Sequence, residues 1–323
     1  MAKRHVLLAT WLTLFAFIPP VAAEEFPSRP ITWVVPFAPG GITDTTSRIV
    51  AEEMSRTLGQ SVVIDNRGGG GGTVGTEQVA RAKPDGYMMI YGTQGTMAAN
   101  VTLRKNLSYD PLTSFLPVHL VGESPNLLVA FVDAPYNSVP EFIAYAKQNP
   151  GKVTFSSSGV GTATHLVAEL FKTTAGIEMQ HVPYRGSAPA LNDMIAGRVE
   201  VMFDYPVSVG PHVEAGKLKV LATTAPDRLR AFPDVPTLAE LGMKEMTTQS
   251  WSSIMVPAGT PAPVVDRLAA AAHAALSSER VRTHFEKFGT RPMTLQKAEM
   301  VPFIESEIKR WGGVIEKAGL EKQ

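Results

Sequence analysis

Two short glycine-bearing stretches carry the residue types needed to hold an anion. The first is Phe37-Ala38-Pro39-Gly40-Gly41-Ile42-Thr43-Asp44, between an apolar β-branched run and a helical pattern. Glycines let a guest reach backbone amides with no Cβ in the way. A helix starting there leaves its first N–H groups unpaired, at the positive end of its dipole. The second stretch, Ser156-Ser157-Ser158-Gly159-Val160-Gly161-Thr162-Ala163-Thr164-His165, lies about 120 residues further on. It repeats the strand, glycine loop and helix start and adds hydroxyl donors. Taken singly, either stretch also reads as a plain turn, with Thr43 or Asp44 capping in the first. Taken together, two anion-seeking helix starts in separate blocks of the chain point to one guest clamped between them.

Other residues join them as candidates. Thr93 lies in Tyr91-Gly92-Thr93-Gln94-Gly95-Thr96, just past the third strand, where ligands of open sheets gather. Tyr184 and Arg185 precede a helix at Ala188; the ring suits a pocket wall and the guanidinium an acid, while a surface arginine beside a turn fits equally well. Asp204 follows a strand and either binds a ligand amine or caps the next turn. His165 is expected to cap or pack. An exported serine hydrolase using Ser157 or Ser158 with His165 is the alternative from another class, although the chain has no G-x-S-x-G elbow. Gly70 to Gly75 fits the G-x-G-x-x-G spacing, but no acid follows about 20 residues on to meet a ribose, so no dinucleotide is expected. H-E-x-x-H, P-loop and calcium-loop patterns are missing, and zero cysteine excludes thiolate nucleophiles, Cys-ligated zinc and iron–sulfur clusters. Neither cofactor nor metal is expected. Thirty basic and thirty acidic residues give no net charge, which argues against non-specific nucleic-acid binding, since that needs a basic face.

Positioning such loops requires alternating strands and helices. Ile31 to Val35, Ser61 to Asp65 and Tyr87 to Tyr91 read as strands, with helices over Thr43 to Leu58 and Thr73 to Ala82 between them. The pattern restarts at Asn126 to Val132. Helices are predicted at 138–148, 162–174 and 188–196, and strands at 153–155, 199–203 and 218–222. A last strand at Ser253 to Val256 precedes a helical tail, whose final segment carries Met300, Phe303, Ile304, Ile308, Trp311 and Ile315 as a docking stripe. Two βα blocks in 323 residues imply two lobes. With the tail returning to the first, the lobes comprise 24–126 plus 250–323 and 127–249, crossing near Asn126 and Trp251.

Residues 1–23 form a targeting segment. Lys3, Arg4 and His5 precede an apolar run from Val6 to Phe17; Pro19 and Pro20 and small residues up to Ala23 follow. This is the layout of a secretory signal peptide, and the run is short for a membrane span. Cleavage removes two basic residues and no acids, leaving 28 against 30 and a charge of −2.

Several motifs together resemble one family. They are Pro36-Phe-Ala-Pro-Gly-Gly41-x-x-Asp44, Asn66-Arg-Gly, Pro84-Asp85-Gly86-Tyr87, Gly159-x-Gly161-Thr162-x-x-His165, Val182-Pro-Tyr184-Arg185-Gly186, Pro236-Thr237-x-x-Glu240-x-Gly242 and Pro257-Ala-Gly-Thr260-Pro261. The chain resembles the Bug (TctC-type) extracytoplasmic solute receptors of tripartite tricarboxylate transporters over essentially its whole mature length. That resemblance implies an α/β, two-lobed periplasmic binding protein of type II, each lobe a mostly parallel sheet flanked by helices. It also implies a periplasmic, non-enzymatic receptor, expected to be monomeric, that hands a small organic acid to membrane permease subunits. Carried over, Ala38, Gly40, Gly41, Thr43 and Asp44, with Phe37 beside them, match the first loop; Ser157, Gly161, Thr162 and His165 match the second. Arg185 stands where lysine is common and Thr162 where serine is. Mono-, di- and tricarboxylates, acidic amino acids and aromatic acids all suit such loops, and an orphan sensor or scaffold remains the second alternative.

Overall fold

A computed structural model describes residues 25–295 and 297–323; the predicted signal peptide lies outside them. The first sheet contains β1 (Ile31–Val35), β2 (Val62–Asn66), β3 (Met88–Thr93), β4 (Phe115–Ser124), β10 (Ser250–Pro257) and β11 (Arg291–Pro292), in the order β11-β4-β10-β3-β1-β2. The second contains β5 (Leu127–Phe131), β6 (Thr154–Ser157), β7 (Gln180–Pro183), β8 (Val201–Asp204) and β9 (Leu218–Thr223), in the order β7-β6-β8-β5-β9. The first sheet thus draws on residues 31–124 and 250–292, the second on 127–223.

Both sheets are mixed rather than mostly parallel. β1, β2 and β3 are parallel, as are β6, β7 and β8, because a helix or helical turn follows each strand and returns the chain to the same edge. β10 runs antiparallel to both β3 and β4, and β5 antiparallel to both β8 and β9. These strands lie next to the two passages between sheets. The passages are tied together: the Asn126 amide donates to Thr224 Oγ1 at 2.9 Å, the Thr224 amide to Asn126 O at 2.9 Å, and Thr224 Oγ1 to Thr248 O at 2.8 Å.

Helices cover both sheets. α1 (Ile42–Leu58) packs Val50, Met54 and Leu58 onto β1 and against α8 (Ala262–Ser277), and Gly59, at φ 70°, ends it in the left-handed region. α2 (Thr73–Ala80) follows β2. A single π-turn, Gly95–Ala99, and α3 (Asn100–Leu103) follow β3 and bed against α10 (Lys297–Lys317). α4 (Val139–Gln148) and α5 (Ala163–Ala175) build the second core around Phe142, Phe155, Phe171 and Phe203. α6 (Ser187–Ile195) and α7 (Pro206–Glu214) cover its other face, and α9 (Glu279–Lys287) follows α8. The predicted tail stripe is buried where it matters: Met300, Ile304, Trp311 and Ile315 are all at most 3% exposed. Among the described residues, no helix is long and apolar enough to cross a membrane.

Candidate functional site

Both glycine-bearing stretches line one and the same pocket between the sheets. Its cavity volume is about 40 Å³, room for a few water-sized groups. Phe37, Gly41, Ile42 and Thr43 wall it from the start of α1, and Tyr91, Thr93, Gln94 and Gly95 from the end of β3. Ser158, Thr162 and Ala163 face them from the start of α5, with Ser187 from α6 and Tyr205 from the residue before α7. Ser124, Ser250, Trp251 and Ser252, on the strands beside the crossings, close the back. Among the described residues, none of these lining side chains is charged.

The electrostatics come from backbone. The residues preceding α1, α5, α6 and α7 place no side-chain cap on the helix amides. Elsewhere, Ser138 caps α4 and Ser278 caps α9. Gly41 has no side chain to offer, and the Thr162 hydroxyl turns away to donate to Gly159 O at 2.6 Å. Among the described residues, the amides of Gly41, Ile42, Thr43 and Ala163 have no acceptor. Unpaired helix-start amides on both sides of a pocket without cations form a preorganised anion cradle.

The other predicted residues build the loops instead of the wall. Asp44 is 4% exposed; its carboxylate accepts from the Gly40 amide at 3.0 Å and from Arg48 Nε at 3.0 Å. Burial pulls its pKa upward, but the Arg48 and Gly40 hydrogen bonds outweigh burial and hold it below the usual carboxylate value. Ala38 donates its amide across the seam to Arg185 O at 3.0 Å, so Arg185 contributes a carbonyl while its side chain is exposed. Tyr184 sends its hydroxyl to Asp193 at 2.7 Å. Asp204 is fully buried behind Ser187, whose hydroxyl donates to it at 2.8 Å; burial raises its pKa to about 7, partly offset by the Tyr205 amide and Ser187.

His165 and Ser157 are likewise loop supports. The His165 ring stacks on His181, centroids 4.1 Å apart, and its Nδ1 accepts from the Gly161 amide at 3.3 Å. Burial, then the neighbouring His181, lowers His165 to about 3; burial, then Lys172, lowers His181 to about 4. Ser157 pairs with His181 Nε2 at 2.6 Å rather than with His165, and neither lines the pocket. Sequence reasoning missed Gln94, Gly95, Ser187, Tyr205 and the strand residues Ser250, Trp251 and Ser252. Gln94 and Gly95 lay in the loop already marked past the third strand and Trp251 at a predicted crossing, though none was named as a contact; the others acquire their role through topology.

Glycines also make the seam between the lobes. A Cβ on Gly95 would sit 2.8 Å from Gly161 O, one on Gly186 3.0 Å from the Ala38 amide, and one on Gly71 would overlap the Val160 carbonyl. The glycine run that mimicked a dinucleotide motif is therefore part of this backbone-on-backbone contact, and Arg104 pins it by donating to Gly70 O at 2.8 Å.

Comparison with known proteins agrees with this architecture. Residues 46–320 match the model of the tripartite tricarboxylate transporter family receptor. The chain is 34% identical over 320 residues to the protein BugT of Bordetella pertussis, covering 99% of this chain and 98% of BugT. Among solved structures, the periplasmic binding protein BugD superposes with a TM-score of 0.89 at 37% identity, over 92% of this chain and 100% of BugD. MatC of Rhodopseudomonas palustris, with bound malate, superposes with a TM-score of 0.85 at 35% identity, over 90% and 100% of the two chains. An R. palustris protein solved with adipate has a TM-score of 0.89 at 38% identity, over 93% and 100%. Fold, seam and sequence together place the chain in the tripartite tricarboxylate transporter receptor family, as a solute-binding receptor.

Proposed function

We propose that this receptor captures a small organic carboxylate in the pocket between its lobes, in the periplasm, and presents it to permease subunits of a tripartite transporter. The observation that carries the reading is the convergence of uncapped helix starts, α1 from one side and α5 from the other, on a pocket without charged side chains. The lobes are 24–126 with 250–323, and 127–249. Phe37, Gly41, Thr43, Thr93 and Thr162 touch the guest, while Ala38, Gly40, Asp44, Ser157, Gly161, His165, Tyr184, Arg185 and Asp204 hold the loops that do. Malate and adipate in related proteins support an acid as the guest.

The energetics suffice without a dedicated cation. A micromolar complex needs about −8 kcal/mol. A partly buried helix start offers up to about 2 kcal/mol, and each charge-assisted hydrogen bond roughly 1.5–3 kcal/mol. Four or five such contacts, less closure and ordering costs, reach that range. The protein works as a binder rather than a hydrolase, a reading supported by Ser157 pairing with His181 off the pocket wall and by Ser158, which lines the pocket, pairing with Thr164 and not with a histidine. A thermal-shift screen over two- to eight-carbon organic acids, followed by calorimetry, should find saturable one-to-one binding with no turnover of ester substrates. A screen in which no acid raises the melting temperature would sink the proposal.

A further inference from the structure

Gln94 is 1% exposed and lines the pocket, yet neither its Nε2 nor its Oε1 has a partner. A buried amide with both ends unpaired is costly unless a guest completes it. Either orientation of the amide group presents one donor and one acceptor side by side, so the conclusion does not depend on which atom is nitrogen.

Four of the lining hydroxyls have already given their protons away, whereas those of Thr43, Thr93, Ser158 and Tyr205 are not committed to a fixed acceptor. Tyr91 donates to Ser252 Oγ at 3.0 Å, and Ser252 to Gly122 O at 3.4 Å. Ser187 donates to Asp204 at 2.8 Å and Thr162 to Gly159 O at 2.6 Å. These oxygens have only lone pairs left for the cavity. The pocket therefore has two chemistries: helix-start amides and uncommitted hydroxyls that can donate, and a set of acceptors formed by Gln94 Oε1 and the four committed hydroxyls. A bare carboxylate satisfies the first and leaves the second unpaired.

The missing partner is a donor on the guest itself. An ammonium would arrive with a full charge, and the lining holds no carboxylate to meet it, so its desolvation would go uncompensated. A hydroxyl needs no counter-charge; it donates to Gln94 Oε1 and accepts from Nε2 in one contact. A cavity of about 40 Å³ also favours a compact guest over a long one. We infer that Gln94 makes this receptor selective for short hydroxy acids over their deoxy counterparts. The inference rests on the carboxylate reading above and names the substrate class within it.

Calorimetry on matched pairs tests it: glycolate against acetate, lactate against propionate, malate against succinate, each with wild type and Gln94→Leu. In wild type the hydroxy acid of at least one pair should bind about tenfold or more tighter than its deoxy partner. In Gln94→Leu that ratio should fall to about threefold or less through loss of hydroxy-acid affinity, with an unchanged circular-dichroism spectrum and a cooperative melt as proof that the variant is folded. Equal or tighter binding of the deoxy acid in every wild-type pair overturns the inference, as does a ratio that survives Gln94→Leu. Tighter binding of aspartate than malate, or of alanine than lactate, overturns the assignment of the donor as a hydroxyl. Wild type that binds neither member of any pair removes the short-acid inference; whether the broader carboxylate reading falls with it is read separately from the two- to eight-carbon screen.

Discussion

Gly41 stands where most helices would carry a capping side chain. Its φ of −86° and ψ of 176° are open to any residue, so the glycine is not required by backbone conformation there. What it supplies is an empty place beside three unpaired amides. Gly41→Asp should fill that place with the protein's own carboxylate. Self-capping is worth about 1 kcal/mol, so the free protein should melt at a higher temperature while organic-acid binding drops by about 100-fold or more. A variant that keeps wild-type affinity would show that α1 does not hold the guest. Asp44 acts one step back. Asp44→Ala releases the Gly40 amide and leaves Arg48 with Asn66 as its remaining partner, and the loosened loop should bind an acid about tenfold more weakly by calorimetry. Tighter binding would mean that Asp44 repels the guest more than it orders the loop.

At the scale of elements, β1 and α1 were legible because a run of buried β-branched residues and a 3.6-residue stripe are local signals. β4 and α7 were not. β4 contains Pro117, which argues against a central strand, but the pairing with β10 shifts register between Ile254 and Met255, next to where Met255 faces Pro117. α7 carries Pro206 in its first turn and Pro211 inside, and its short length hid the pattern. α5 and β7 meet through the stacked rings of His165 and His181, and this contact makes stability depend on pH. Both rings are neutral in the folded protein down to about pH 4, whereas an unfolded histidine takes up a proton near pH 6.5. Asp204 works in the opposite sense, since the folded protein binds its proton near pH 7 and the unfolded chain only near pH 4. Between about pH 6 and 4.5 the unfolded chain thus holds close to two of these protons and the folded chain close to one. Stability should fall by about 1.4 kcal/mol per pH unit as the solution is acidified, and Asp204→Asn should steepen the decline. A melting temperature that holds level or rises from pH 6 to 4.5 would contradict the neutral histidine pair.

Across the whole molecule, the closure we propose on a guest depends on a seam where backbone meets backbone. Gly95 begins the π-turn with an ordinary negative φ, so alanine suits it locally and should not weaken the fold. In the closed form, however, the new Cβ would lie 2.8 Å from the Gly161 carbonyl on the other lobe. Gly95→Ala should keep its melting temperature, lose at least about tenfold in affinity, and remain extended in small-angle scattering at a ligand concentration that compacts wild type. Wild-type compaction of this variant would show that the lobes meet differently.

The sequence by itself determined the local events: which segments become strands or helices, where glycines interrupt them, and that two helix starts would be rich in free amides. Motif spacing also carried the family, because the turns joining those elements have strict residue requirements. Only the tertiary structure decided which face of each loop lines the pocket. It turned Asp44 and His165 into supports, because their polar atoms found partners within their own loops. It brought Gln94, Ser187 and Trp251, distant in sequence and not named as contacts from pattern, onto one cavity wall. A hydrogen-bond partner is a short-range, directional requirement, and which polar atoms are left without one is settled only when strands 100 residues or more apart, such as β3 and β10, lie side by side.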